Sequence, residues 1–381
     1  MAARPQPGPT GDDSSRALPP LRRLRRALGR IGREAALYPT LLRGGRRPGL
    51  AVLPSEGRAG ASLLRGFNMA DALQGRGWRT MVVPHHLSRA QRHRVLGLFR
   101  PDLLLVQQAR HPLNRVEHLQ DWPTVLDIDD ADFMDPALEP ALSAILARAE
   151  GAVCGSRFIR DWAQRHGARA RVIWTGTPVS PGPWPLHADR RPLVTWAQLG
   201  PEAYRAELGI VAHVMVEVAR RRGPVDLRLY SWSGPRDAPE LEQMQAAGVR
   251  IEILPRLSYD DYLASLREAA VGLSAIARAE GFAQGKSFGK ILGYLDAKVP
   301  VICSDAADHA LFFRPGSGVV SDDPAVWADT VCALLDDPAR RQSMADAAHA
   351  DFRSRLSVDA AADRLHAFLT DLLNHPVQRA T

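Results

Sequence analysis

Short apolar runs of four or five residues alternate with helical spacing along most of this chain, beginning near Pro48. Gly49 to Pro54 predicts a first strand, and Ser55 to Ser62 a loop. Leu63, Phe67, Ala70 and Leu73 then share a helical face that Gly75 and Gly77 stop. Further strands are predicted at Arg79–Pro84, Asp102–Val106, Thr124–Ile128, Gly151–Cys154 and Arg171–Trp174, with helical segments between most of them. Leucine and β-branched runs without polar alternation read as strands buried on both faces, hence a parallel sheet in a doubly wound α/β domain. Five prolines between Thr177 and Pro192 predict a linker. The pattern then restarts at Pro192–Trp196, Asp226–Tyr230, Val249–Leu254, Ala270–Ser274, Val299–Cys303 and Gly318–Val320, and helices near 324–336 and 357–373 close the chain. The expected parts are an arm over 1–47, a domain over 48–184, a second domain over 185–356, and a final helix and tail over 357–381. Two such domains would face a cleft at the carboxyl ends of their strands.

Charge divides the chain unevenly. Residues 1–47 hold eleven arginines against Asp12, Asp13 and Glu34, a local net of +8, while the whole chain is +7, so the remainder sums to −1. Within the arm, Leu21, Leu24, Leu28, Ile31 and Ala35 recur at three- or four-residue steps, with arginines between them. This predicts a basic amphipathic helix over 21–37 behind a disordered Pro- and Gly-rich lead. Two readings stand: a helix lying on an anionic membrane surface, or one docked on the body with a solvated arginine face. Nucleic-acid binding is not expected, because the body is not basic and shows no nucleic-acid module.

Composition bounds the class. With 381 residues, 45% hydrophobic and 24% charged, the chain can build two ordinary domains. It contains no apolar run of membrane-spanning length and no signal-like apolar segment. Cys154, Cys303 and Cys332 are too scattered for a disulfide framework or a metal cluster. The expected location is cytoplasmic, either free or peripheral on the inner face of the membrane.

Only three lysines occur, all between 286 and 298. Lys286 and Lys290 stand in Gly285-Lys-Ser-Phe-Gly-Lys290, directly ahead of the apolar Ile291-Leu-Gly-Tyr-Leu295. A lysine offers a compact charge on a flexible stem, and a glycine-flanked helix start adds oriented N–H donors, a combination suited to phosphate. The plainer reading is a solvated helix start. A P-loop is a poor fit, because Gly281 and Gly285 are separated by three residues where that motif needs four.

The stretch Leu257–Ser274, then Glu280-Gly-Phe282, Gly285–Asp305, Gly316–Val320, Trp327 and Leu334–Met344 resemble the nucleotide-sugar half of GT-B glycosyltransferases of the retaining family-4 type. Asp127–Asp132 and Val153–Ile159 match a looser pattern in the first half. The resemblance covers about 250–345 most closely. It implies a GT-B fold of two Rossmann-like domains and transfer of a sugar from a nucleoside diphosphate sugar to a saccharide or lipid-linked acceptor. No cofactor beyond that donor substrate and no metal are implied. Carried over, Lys286, Ser287 and Lys290 meet the donor diphosphate, while Glu280, Gly281, Phe282 and Gly285 shape the loop beside it. Gly60, in the Gly57–Gly60 loop, would face acceptor or phosphate.

Two departures accompany the resemblance. Gly293 stands where these enzymes usually carry a ribose-contacting glutamate. Asp296, one turn later, reads either as a compensating carboxylate or as a solvent-exposed one. The strand after the linker, Thr195 to Glu202, lacks the usual basic pair, leaving Lys286 and Lys290 with Arg58 or Arg256 as helpers. A GT-B scaffold without catalysis, serving as a binding subunit, is therefore the alternative.

Asp127, Asp129, Asp130 and Asp132 end a predicted strand. Such carboxylates can orient acceptor hydroxyls, accept a proton or hold a divalent cation, or can simply cap a helix. Asp127, Asp129, Asp130 and Glu280 are the candidate catalytic residues. His85, His86 and His111 each read as surface loop residues.

Overall fold

The computed structural model describes residues 20–41, 45–235, 237–277, 281–286 and 289–377. The chain forms two compact units. The first comprises Met1–Gly176, Gly285–Ser287 and Val358–Thr381, and the second Thr177–Gln284 and Phe288–Ser357.

The first unit opens with α1 (Pro20–Ala35) and α2 (Tyr38–Leu41). Its sheet follows: β1 (Gly49–Leu53), α3 (Asn68–Gln74), β2 (Arg79–Val82), α4 (Arg89–Phe99), β3 (Leu103–Gln107), β4 (Thr124–Ile128), α5 (Glu139–Leu146), β5 (Gly151–Cys154), α6 (Arg157–Arg165) and β6 (Ala170–Val172). A capping box starts α4, in which Ser88 and Gln91 satisfy each other's backbone N–H.

All pairings are parallel, in the order β2-β1-β3-β4-β5-β6. Every residue of β1, β3, β4 and β5 is buried, as runs without polar alternation demand.

The second unit contains β7 (Leu193–Leu199), α7 (Arg205–Arg222), β8 (Val225–Tyr230), α8 (Pro239–Ala246), β9 (Val249–Leu254), α9 (Tyr259–Leu266), β10 (Val271–Ser274), α10 (Gly289–Asp296), β11 (Val301–Cys303), α11 (His309–Phe312), β12 (Val319–Val320), α12 (Pro324–Asp336) and α13 (Pro338–Asp351). Its order, β12-β11-β10-β7-β8-β9, is again wholly parallel. A core of Val194, Trp196, Met215, Leu227, Leu273 and Trp327 lies between its layers.

The last helix, α14 (Val358–Asn374), belongs to the first unit. Leu365, Phe368, Leu369 and Leu372 join the core of Leu50, Val52, Leu105 and Val153. Trp78 Nε1 donates to His366 Nδ1 at 2.9 Å, which fixes the helix against the sheet.

The proline-rich segment is held on the second unit. Asp296 accepts from Ser180 N at 2.8 Å and from the Ser180 hydroxyl, and its carbonyl accepts from Trp184 Nε1 at 2.8 Å. Asp296 is 1% exposed. The expectation of a solvent-exposed carboxylate is thus corrected: its oxygens are occupied in seating the linker. No described helix is long and apolar enough to cross a membrane.

Candidate functional site

Strand order marks two positions. In open parallel sheets, ligands bind beyond the carboxyl ends of strands where the order reverses. That reversal lies between β1 and β3 in the first unit and between β7 and β10 in the second.

In the first unit, the loops after β1 and β3 bring a polar network to that edge. Ser62 Oγ donates to Gln107 Oε1 at 2.7 Å, and Glu56 N donates to Ser62 Oγ at 3.2 Å. Asn114 Nδ2 donates to the carbonyls of Leu53 and Gln107, tying the two loops together. Gln107 and Gln108 are buried, and the Nε2 of each lacks a partner among the described residues. Two unspent donors at a switch point are available to a polar ligand. Gly60 has φ +49°, and an added Cβ would stand 2.9 Å from Glu56 Oε1.

One strand further, β4 delivers the aspartates. Arg65, buried within the helical turns ahead of α3, meets Asp127 through Nη2 at 2.5 Å and Nε at 3.1 Å. Its Nε lies 3.6 Å from Asp129, and its Nη1 donates to the Ile173 carbonyl at 2.8 Å. Thr175 Oγ1 donates to Asp129 at 3.1 Å. Arg110 pairs with Asp130 at 2.9 Å and with Asp132. Burial alone would make both guanidiniums easier to deprotonate, but the adjacent carboxylates more than reverse this and raise their pKa values. Arg65 and Arg110 set positive charge directly among these carboxylates. Asp130, with 15% side-chain exposure, is the most accessible of the four.

The histidines beside this edge differ from the surface reading. His111 is buried, and its Nδ1 accepts from Leu113 N at 3.1 Å. Burial, with the charge of Arg92 adding to it, holds His111 neutral with a pKa near 3. His85 and His86 are half-buried, with ring centroids 4.2 Å apart. Burial, His85 and Arg33 bring His86 to about 4.

In the second unit, α10 follows the loop from β10, so a crossover between parallel strands sets its N-terminus at the carboxyl edge. Tyr294 fixes that placement. Its hydroxyl accepts from Ala197 N at 2.7 Å and lies 2.9 Å from the Leu273 carbonyl, bridging β7 and β10. Gly272 admits the ring, since an added Cβ would stand 2.8 Å from it. Gly281, at φ +81°, and Phe282 lead into a short turn, Phe282–Gly285, with Lys286 half-buried after it.

Gly285 clusters within the first unit, where an added Cβ would stand 2.6 Å from Ala131 Cβ, so any side chain there displaces the aspartate loop. Glu280 and Ser287 lie outside the described residues. Lys290 falls in the first turn of α10, with its side chain outside them.

The glycine at 293 has a steric cause. An added Cβ would stand 2.9 Å from the Tyr262 hydroxyl and 3.3 Å from Leu266. Tyr262, on α9, therefore occupies the space a glutamate side chain would need, and Asp296 faces the linker instead.

Arg65, Arg110, Gln107, Gln108, Tyr262 and Tyr294 were not among the expected site residues. Gln107-Gln108, polar residues directly ending a leucine run, carried a readable signal. Arg65 did not, because only the fold brings it to residues 62 positions away.

Comparison with known proteins agrees with this architecture. Residues 212–367 match a family model described as glycosyl transferase-like. No curated protein matches the chain. Among solved structures, sucrose-phosphate synthase from Thermosynechococcus elongatus is similar at TM-score 0.62 and 14% identity, covering 86% of this chain and 100% of that one. Anabaena HepE in complex with UDP and glucose gives 0.62 and 13%, covering 85% and 100%. A glycosyltransferase from Rickettsia africae gives 0.65 and 10%, covering 87% and 100%. The chain has the GT-B fold, and most of the matched residues 212–367 lie in its second unit.

Proposed function

We propose that this protein is a glycosyltransferase that moves a sugar from a nucleoside diphosphate sugar to a hydroxyl of a saccharide or lipid-linked acceptor. The anomeric carbon–oxygen bond to the diphosphate breaks, and a new one forms to the acceptor oxygen, which loses its proton. Retention of configuration follows from the family-4 resemblance of residues 250–345.

The observation that carries this reading is the start of α10, held at the carboxyl edge of the second sheet by Tyr294 and preceded by Lys286. Negative charge grows on the departing diphosphate, and a helix N-terminus with lysines opposes it. The bound UDP and glucose of HepE support the same class of donor. Lys286, Ser287 and Lys290 are assigned to the diphosphate. Glu280, Gly281, Phe282 and Gly285 are assigned to the loop beside the donor sugar.

On the acceptor side, the aspartate group offers carboxylate oxygens that can accept from hydroxyls. Asp130 is the proposed first contact, with Asp127 and Asp129 setting its field. Gly60 and the amides of Gln107 and Gln108 complete that edge.

Tyr262 filling the space beside Gly293 favours a second reading, a nucleotide-binding GT-B scaffold without turnover. A thermal-shift panel of nucleoside diphosphates and nucleotide sugars tests the donor site. At 100 times its dissociation constant a true ligand stabilises by about 2.7 kcal/mol. The expected result is a shift with one nucleotide class, lost in Lys286→Ala/Lys290→Ala. No shift with any of them would overturn the donor assignment.

A further inference from the structure

The N-terminal helix sits on the first unit in an unusual way. A helix covering a globular body normally turns its apolar stripe inward. Among the described side chains of α1 the buried one is Glu34, at 6% exposure, whereas Leu28 and Ile31 are 58% and 59% exposed. Glu34 is gripped by α4: Arg94 donates Nε and Nη2 to its two oxygens at 2.6 and 2.8 Å, and Gln91 Nε2 donates at 2.8 Å. At about 100° per residue, Glu34 lies on the flank between the apolar stripe of Leu28 and Ile31 and the arginine face. The grip therefore leaves the stripe facing outward. Arg22, Arg25 and Arg33 are exposed as well.

The neighbouring surface continues the pattern. Gln91, Arg94 and Leu98 share one stripe of α4, and Leu98 is 53% exposed. Tyr38, just beyond α1, is exposed too. Apolar side chains flanked by arginines match a bilayer surface, with acyl chains for the former and anionic headgroups for the latter.

We infer that α1, clamped through Glu34 to α4, is a lipid-surface helix whose Leu28–Ile31 stripe enters an anionic bilayer and holds the first unit against it. The position of the clamp adds a consequence. Arg33, next to Glu34, is close enough to His85 and His86 for its charge to act on both rings, and His85 packs 3.4 Å from where a Cβ on Gly57 would lie. The loops after β1 and β2 are thereby set beside the headgroups. Resting on the glycosyltransferase reading, this selects the lipid-linked class of acceptor.

Flotation of the full chain with vesicles tests the surface. The protein should rise with phosphatidylcholine vesicles containing phosphatidylglycerol and remain below with phosphatidylcholine alone. Leu28→Asp/Ile31→Asp should reduce the floated fraction at least tenfold, and Arg22→Gln/Arg25→Gln should weaken flotation and its salt dependence. A wild-type protein that never rises with anionic vesicles overturns the inference, as does an aspartate variant that rises like the wild type. Nucleotide thermal shifts, expected to be unchanged in these variants, show that the fold is intact. Once a donor is turned over, vesicles of extracted cell lipid should raise nucleoside diphosphate release by the wild type and not by Leu28→Asp/Ile31→Asp. Equal gains in both would remove the acceptor clause while leaving the lipid surface. Flotation without any nucleotide binding would leave the surface and remove the glycosyltransferase reading.

Discussion

The carboxyl edges of the two sheets solve opposite electrostatic problems with the same topology. At the first edge, charge is dense and paired, with Arg65 and Arg110 interleaved among four aspartates. At the second, neutral tyrosines do the positioning: Tyr294 bridges β7 and β10, and Tyr262 packs against Gly293. The first edge therefore presents fixed carboxylate oxygens, the groups that orient hydroxyls. The second presents the backbone N–H donors at the start of α10 against a quiet background, and in the proposed function these meet a diphosphate. The difference implies that substitutions at the first edge act mainly through folding and those at the second mainly through binding.

The largest expected effect tests the paired edge. Arg65→Ala leaves Asp127 and Asp129 buried without their cation, and should cost about 3–5 kcal/mol of stability by urea unfolding. A loss below about 1 kcal/mol would show that the network is not structural.

Lys286→Ala, just ahead of α10, tests the donor assignment. It should weaken nucleoside diphosphate binding by about 1.5–3 kcal/mol, the range for a hydrogen bond to a charged group, measured by calorimetric titration. Unchanged binding would remove Lys286 from that assignment.

Gly293→Glu sharpens the role of Tyr262. Overpacking against its hydroxyl should destabilise by about 1–3 kcal/mol. In Tyr262→Ala/Gly293→Glu, the loss should be smaller than the sum of the two single losses, since the pair competes for one space. Strict additivity would refute that competition.

The last prediction concerns acid. His111 in the first unit and His187 in the second have pKa values lowered by burial from 6.5 to about 3 and about 4. A lowered histidine pKa means that the unfolded chain binds the proton first. Stability from these groups is therefore full above pH 6.5 and falls as pH drops from 6.5 toward 3 for His111 and toward 4 for His187. The melting temperature should decline over that window, and His111→Gln should flatten the decline. An unchanged slope would contradict the buried, neutral His111.

The architecture was largely legible in the sequence, because buried parallel strands announce themselves as apolar runs. All twelve runs occur as strands, with β6 set slightly earlier than Arg171–Trp174 and β7 extended to Leu199. The donor-side assignment rests on Lys286 and the resemblance around it, and stays a proposal. Residues acting over long sequence separation were not: Arg65 reaches Asp127, Ser180 reaches Asp296, and Tyr262 reaches Gly293 only once the chain has folded. Asp296 looked exposed because a lone aspartate late in a short helix usually is, and the linker that covers it lies 116 positions earlier. His111 was misread for the same reason, since Arg92, 3.5 Å from its Nδ1, and the His85 ring, 6.3 Å away centroid to centroid, come from distant segments.

The most direct test of the central claim is turnover. Purified protein incubated with a panel of nucleoside diphosphate sugars and vesicles of extracted cell lipid should release nucleoside diphosphate from one donor class. Lys286→Ala/Lys290→Ala should abolish the release. Donor binding without release from any member of the panel would contradict the enzyme and establish the scaffold reading in its place.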